Sequence, residues 1–174
     1  MKSESDNIKF VHFGRINTRI KKIIEIANIF PNIDIDLYGY TNFFLMHKIV
    51  ITNKNIHFKN SNFIEDVKLY KIVKDNNTFV LSFSEFPEQC YYSNRIPMLL
   101  GYSSLVIQEK FKNVDKYFSN KEMIIYGNMD ELKTKVNSLI NDFNKQNIIR
   151  ANALEISKKY SFDNYILNIL NTIN

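Results

Sequence analysis

The chain has a single cysteine, Cys90, which excludes an internal disulfide and fits a reducing compartment. No apolar run approaches the roughly 18 residues of a membrane span. The opening residues, MKSESDN, are polar and carry no apolar core, so no secretory signal is expected and the expected location is cytoplasmic. Four glycines and three prolines in 174 residues leave no Gly/Ser- or Pro-rich linker, and there is no internal repeat. Neither a P-loop nor a G-x-G-x-x-G occurs, which weighs against an ATPase or a typical NAD enzyme. His12, His47 and His57 stand at no metal-ligand spacing and lack a Cys or Glu companion, so no metal is expected. Cys90 has no paired histidine in the local sequence, so nothing marks it as a nucleophile.

What is present supports a folded domain. The chain is 45% hydrophobic and 14% aromatic, enough for a core. Residues 1–7 read as a mobile lead and residues 8–174 as one domain. A net charge of +5 attracts anions: nucleotides, nucleic acid or an acidic membrane surface. The lysines are scattered rather than gathered on one stripe, which disfavours nucleic acid.

Apolar runs alternate with helical stripes along the chain. Strands are expected at Ile8–Phe13, Ile33–Tyr38, Asn55–Lys59, Thr78–Phe83, Leu105–Ile107 and Met123–Tyr126. Ile20, Ile23, Ile24 and Ala27 have the i, i+3, i+4, i+7 spacing of a helix over Asn17–Phe30, stopped by Pro31. Further helices are expected at Phe63–Val73, Asp130–Phe143, Gln146–Lys159 and Phe162–Ile173, with a helical turn at Val114–Phe118. Thr41–Asn55 reads equally as a short helix or a covering loop. Strands separated by helices imply an α/β layer fold with a mostly parallel sheet and a helical C-terminal tail.

The stretch Tyr91–Glu109, YYSNRIPMLLGYSSLVIQE, organises the rest. Ser93 and Asn94 are helix-start residues, whose side-chain oxygens satisfy free backbone N–H groups. A short apolar helix is expected over Arg95–Leu100, with Pro97 tolerated in its first turn. A helix start of this kind offers N–H groups and a positive dipole end that suit a phosphate. Arg95 adds an always-charged, planar donor fork. The stretch resembles the C-terminal domain of GT-B glycosyltransferases, particularly the spore-maturation-protein-like, group 1 branch. That branch reads S-x-R-x-F-E-x-L-x-x-G-G before an apolar strand. Ser93, Arg95, Leu100 and the strand Leu105–Ile107 fit without a gap. Met98 stands where the family has its ribose-holding Glu, and Ser103-Ser104 where it has a glycine pair. YGNMDELKTKVNSLI and KKYSFDNYILNIL also look like the family's later strand and helix and its tail.

The resemblance implies a three-layer, Rossmann-like domain that binds a nucleoside-diphosphate sugar without a metal. It implies a transferase of the hexosyltransferase class. It also implies a missing N-terminal half, which a partner chain would have to supply for transfer. The alternative is a non-catalytic interaction module on the same fold.

In open α/β sheets the ligand lies beyond the carboxyl ends of the strands, which selects three loops. The first holds Gly14, Arg15 and Arg19. Gly14-Arg15 matches the family's Gly-Arg pair, and the basic residue that follows is Arg19 or Lys21. His12, two residues before Gly14, sits at the mouth of the expected cleft. The second loop, Ser84–Tyr92, offers Glu85 and Glu88 for a sugar or ribose hydroxyl, against a solvated acidic loop. The third carries Ser93, Asn94 and Arg95, with Met98 one turn on. Asp34-Ile35-Asp36 spells D-x-D, but it opens a strand rather than following one, and a solvated strand edge is the better reading.

Overall fold

The computed structural model describes residues 8–60, 65–84 and 95–161. Short apolar segments form six strands: β1 (Lys9–Phe13), β2 (Asp34–Tyr38), β3 (Ile56–Asn60), β4 (Thr78–Ser82), β5 (Leu105–Glu109) and β6 (Ile124–Tyr126). Every pairing is parallel, and the order is β3-β2-β1-β4-β5-β6. Six helices connect and cover them: α1 (Ile20–Ile29), α2 (Phe43–Thr52), α3 (Asp66–Val73), α4 (Arg95–Gly101), α5 (Met129–Ile140) and α6 (Phe143–Ser157). Alternation along the strands divides the core. Phe10, Ile35, Leu37, Phe79, Leu81, Leu105 and Ile107 pack toward α1 and α5. Val11, Phe13, Val80, Val106 and Ile125 pack toward α3, α4 and α6. Both faces of the sheet are thus buried, as a parallel sheet requires. The result is a Rossmann-like α/β fold.

Several boundaries move for identifiable reasons. α1 begins at Ile20 rather than Asn17, because Asn17 accepts hydrogen bonds from Thr41 and the Asn42 N–H. The two helices expected at Asp130–Phe143 and Gln146–Lys159 both form, but the break between them lies earlier, at residues 141–142. Asn128 caps α5 by accepting from the Glu131 N–H, while Asp142 starts α6 by accepting from the Lys145 N–H. Residues 41–55 contain the helix α2. Its run FFLMHKIVIT is apolar almost throughout, so no stripe identified it. Val114–Lys116 forms only a 3-10 turn. β2 is an interior strand, not a solvated edge. Asp36 is buried beside Lys59 of β3 at 3.2 Å, and Asp34 pairs with His57 at 3.0 Å. The expected tail helix Phe162–Ile173 lies outside the described residues.

Two ties fix the ends of the strands, the first at the carboxyl edge of the sheet and the second at its amino edge, before β4 and β5. The first is backbone against backbone: the Gly14 N–H donates to the Tyr38 carbonyl at 2.9 Å, and a Cβ on Gly39 would lie 1.9 Å from the Gly14 oxygen. The second is Arg150 of α6. Its guanidinium donates to the carbonyls of Ser103, Asp75 and Asn76, while Ser103 Oγ donates to the Arg150 carbonyl. Ser103, at φ 59, holds the left-handed conformation at one of the two positions where the resemblance has glycine. The α4–β5 turn is therefore clamped by α6.

Gly39→Ala should expose the first tie. φ at this residue is +149°, so alanine adds roughly 1–3 kcal/mol of backbone strain before the clash with Gly14 is counted. A lowered urea midpoint, larger than for alanine at the unstrained Gly101, is expected. Equal midpoints would show that the contact is dispensable.

Candidate functional site

The sheet order reverses between β1 and β4, and a crevice opens there at the carboxyl ends of the strands. A cleft of about 190 Å³ occupies it. Arg15 and Arg19 reach it from the β1–α1 segment, and Arg95 from the start of α4. Gly14, at φ +123, is what lets Arg95 approach. A Cβ there would lie 2.7 Å from the guanidinium, which donates to the adjacent Phe13 carbonyl. Burial lowers the Arg95 pKa, yet arginine stays protonated at neutral pH. Three arginines thus line one small polar cleft, with the charges of Arg95 and Arg19 felt at His12 within it, an arrangement suited to a polyanion.

Beneath them lie neutral polar groups. His12 Nδ1 hydrogen-bonds the Leu81 carbonyl at 3.0 Å, and its ring tilts against Phe83. The Arg15 backbone carbonyl also lies close to the ring and raises its pKa, while Nε2 meets no partner of good hydrogen-bond geometry among the described residues. Burial brings the His12 pKa down to about 4, with Arg95 and Arg19 contributing and the Leu81 and Arg15 carbonyls opposing. The imidazole is therefore neutral at pH 7. Ser84 and Gln108 line the same cleft, each with a buried oxygen that has no partner among the described residues.

Of the residues named from sequence, His12, Arg15, Arg19 and Arg95 share the cleft, with Gly14 beside it; His12 lies buried within it rather than at its mouth. Met98 does not line it; its half-buried side chain packs against the core on the α4 side. Glu85, Glu88, Ser93 and Asn94 lie outside the described residues. Ser84 and Gln108 were not singled out from sequence. Gln108 carried a usable signal: a polar residue closing an otherwise apolar strand at the ligand-bearing end.

No protein-family model matches the sequence, and no curated protein matches it. Solved structures do. TarM superimposes with a TM-score of 0.72 at 18% identity, over 99% of this chain and 36% of TarM. HepE of Anabaena, solved in complex with UDP and glucose, gives 0.71 at 18% identity, over 95% of this chain and 48% of HepE. The sucrose-phosphate synthase of Thermosynechococcus elongatus gives 0.75 at 12% identity, over 97% of this chain and 45% of that enzyme. At these identities the likeness is one of fold. The chain spans about a third to a half of the length of these proteins. Among the described residues, no helix is long and apolar enough to cross a membrane.

The buried imidazole makes stability depend on pH. Unfolded His12 takes a proton below about pH 6.5, whereas folded His12 does so only near pH 4. Its contribution is complete above 6.5 and is lost as pH falls through that window, by up to ~3 kcal/mol. Urea midpoints measured from pH 7 to 4.5 should fall for the wild type and much less for His12→Asn. An equally steep fall in the variant would show that another group controls this range.

Proposed function

We propose that this chain is the nucleotide-sugar-binding half of a GT-B-type glycosyltransferase, of the hexosyltransferase class. The observation that carries the reading is the convergence of Arg15, Arg19 and Arg95 on one cleft at the point where the strand order reverses. The diphosphate of a donor would rest on these guanidiniums. As the glycosidic bond breaks, negative charge grows on the leaving phosphate, and pre-placed cations stabilise that charge more than the ground state. Arginines supply the positive charge, so the reading invokes no metal. HepE, with the same fold, has been solved with UDP and glucose, which supports a nucleoside diphosphate as the ligand class here.

Sugar transfer also needs an acceptor held in line with the donor, and orientation of this kind is worth several kcal/mol. The cleft of about 190 Å³ is smaller than ordinary ligand sites of roughly 300–1,000 Å³. A second domain or a partner chain would complete it. Tyr40, 72% exposed beside the β1–α1 loop, and α2, with Ile51 77% exposed, are the surfaces assigned to that partner. A non-catalytic module on the same fold is the second reading. It is favoured by Met98, which is turned toward the core and offers no carboxylate to a ribose.

Calorimetric titration with uridine and guanosine diphosphates tests the binding. Arg15→Ala and Arg95→Ala should each weaken it about ten- to a hundredfold, the effect of losing a charge-assisted contact. Absence of binding, or binding indifferent to both changes, would remove the phosphate site.

Nucleoside diphosphate release, assayed with a panel of donors and acceptors, tests the need for a second half. The chain alone is expected to show no sustained turnover. Robust multiple turnover would show that one domain suffices.

A further inference from the structure

We propose that the interior of the cleft recognises hydroxyl groups: His12 Nε2, Gln108 Oε1 and Ser84 Oγ accept hydrogen bonds from a sugar ring of the ligand, behind the arginines that take its diphosphate. This rests on the nucleotide-sugar reading above and assigns the neutral part of the ligand to named atoms.

The side chains are among the most buried polar groups of the domain: His12 is 4% exposed, Ser84 7% and Gln108 1%. Each has a side-chain atom with no hydrogen-bond partner among the described residues, and all three residues line the one cleft. Buried polar atoms in folded proteins are nearly always paired, so three orphans around one cavity point to an external partner.

The hydrogen-bonding polarity of the group can be read from its anchored ends. His12 Nδ1 lies on the Leu81 carbonyl, an acceptor, so Nδ1 carries the proton and Nε2 presents a bare lone pair. The Gln108 amide nitrogen donates to the Glu109 carbonyl at 2.6 Å, which fixes the amide and leaves its oxygen as the free end. Ser84 can accept as well as donate. Strand alternation brings His12 in from the α1 side and Gln108 from the α4 side, on either side of the end of β4. The interior therefore offers acceptors to whatever enters. An ionised phosphate brings only acceptors, so His12 Nε2 and Gln108 Oε1 repel it. A hydroxyl brings a donor and is held. The arginines nearer the mouth have the opposite preference, because guanidinium donates and never accepts. One cleft thus has two chemically distinct zones, matched to the two halves of a nucleoside-diphosphate sugar.

The three atoms are sealed from solvent, so a sugar reaches them only when side chains at the mouth turn. Arg95 is suited to this. It is a long side chain laid over Gly14 and held there by the Phe13 carbonyl, and a diphosphate would draw it away.

The test is calorimetry with four probes: pyrophosphate, UDP, 2′,3′-dideoxy-UDP and UDP-glucose. The variants are His12→Asn, which keeps a donor for Leu81 and removes the Nε2 acceptor, and Gln108→Met. Pyrophosphate should bind wild type and variants alike, which also reports that each variant is folded. UDP or UDP-glucose should bind the variants about tenfold more weakly. If the ribose is the partner, the loss appears with UDP and vanishes with the dideoxy compound. If the hexose is the partner, the loss appears only with UDP-glucose. Such coupling between a residue and a ligand hydroxyl is a result that a merely structural role would not produce. Equal losses for all probes, or none for any while pyrophosphate still binds, would overturn the inference and leave the diphosphate site standing. Failure of both pyrophosphate and UDP to bind wild type would overturn the nucleotide-sugar reading and this assignment with it.

Discussion

The contact between Gly39 and Gly14 is the constraint on which the cleft depends. Two parallel strands leave the sheet side by side, and their exit loops come so close that no Cβ fits between them. That closeness turns the chain after β1 sharply, at a positive φ that glycine tolerates. The turn exposes the Phe13 carbonyl to Arg95 and carries Arg15 and Arg19 round to the same crevice. With a side chain at position 39 the loop would be pushed outward, and the guanidiniums would lose their common focus. Backbone sterics, rather than a strong polar bond, place the charges.

Those charges act on the groups beneath them. Arg95 and Arg19 help keep His12 unprotonated, and burial does most of that work. A neutral imidazole pinned by the Leu81 carbonyl serves as a directed acceptor, where a charged one would have added to the cationic rim. The rim and the interior are therefore not independent. Removing an arginine removes a phosphate partner and also relaxes the penalty on protonating His12.

Much of the architecture is legible in the sequence, because burial on both faces of a parallel sheet leaves short apolar runs separated by helical stripes. The alternation of Phe10, Val11 and Phe13 and the isoleucine stripe of α1 each admit one reading. α2 does not, since a helix apolar almost all round has no phase. The break between α5 and α6 is legible, but its position is hidden for a different reason. Asp142 continues a helical pattern by composition, and only its capping bond to the Lys145 N–H marks a new start. The candidate site shows the same split. Arg15 and Arg95 stand out by position and by resemblance. Arg150, equally basic and in a helix like Arg95, spends its donors on four backbone carbonyls and serves the fold instead. Nothing local in the sequence separates these two roles, because the difference lies in which carbonyls the tertiary structure leaves bare.

The openness of the cleft bears on how strongly it can act. A guanidinium–phosphate contact in bulk water is worth little, since the solvent screens it; the same contact, once water is excluded, grows several-fold as the effective dielectric falls. On this chain Arg15 is exposed, and Arg95 has an open outer side despite its anchored tip. A second surface laid across the carboxyl edge would exclude water from both at once. It would also force the buried acceptors to find partners in whatever it trapped. Closure would then strengthen the ionic zone and the hydroxyl zone together, at the moment an acceptor is brought into line. A half-site of this kind is expected to bind weakly when open and to gain both affinity and selectivity on closing. That is a physical reason for such a fold to work in pairs of domains.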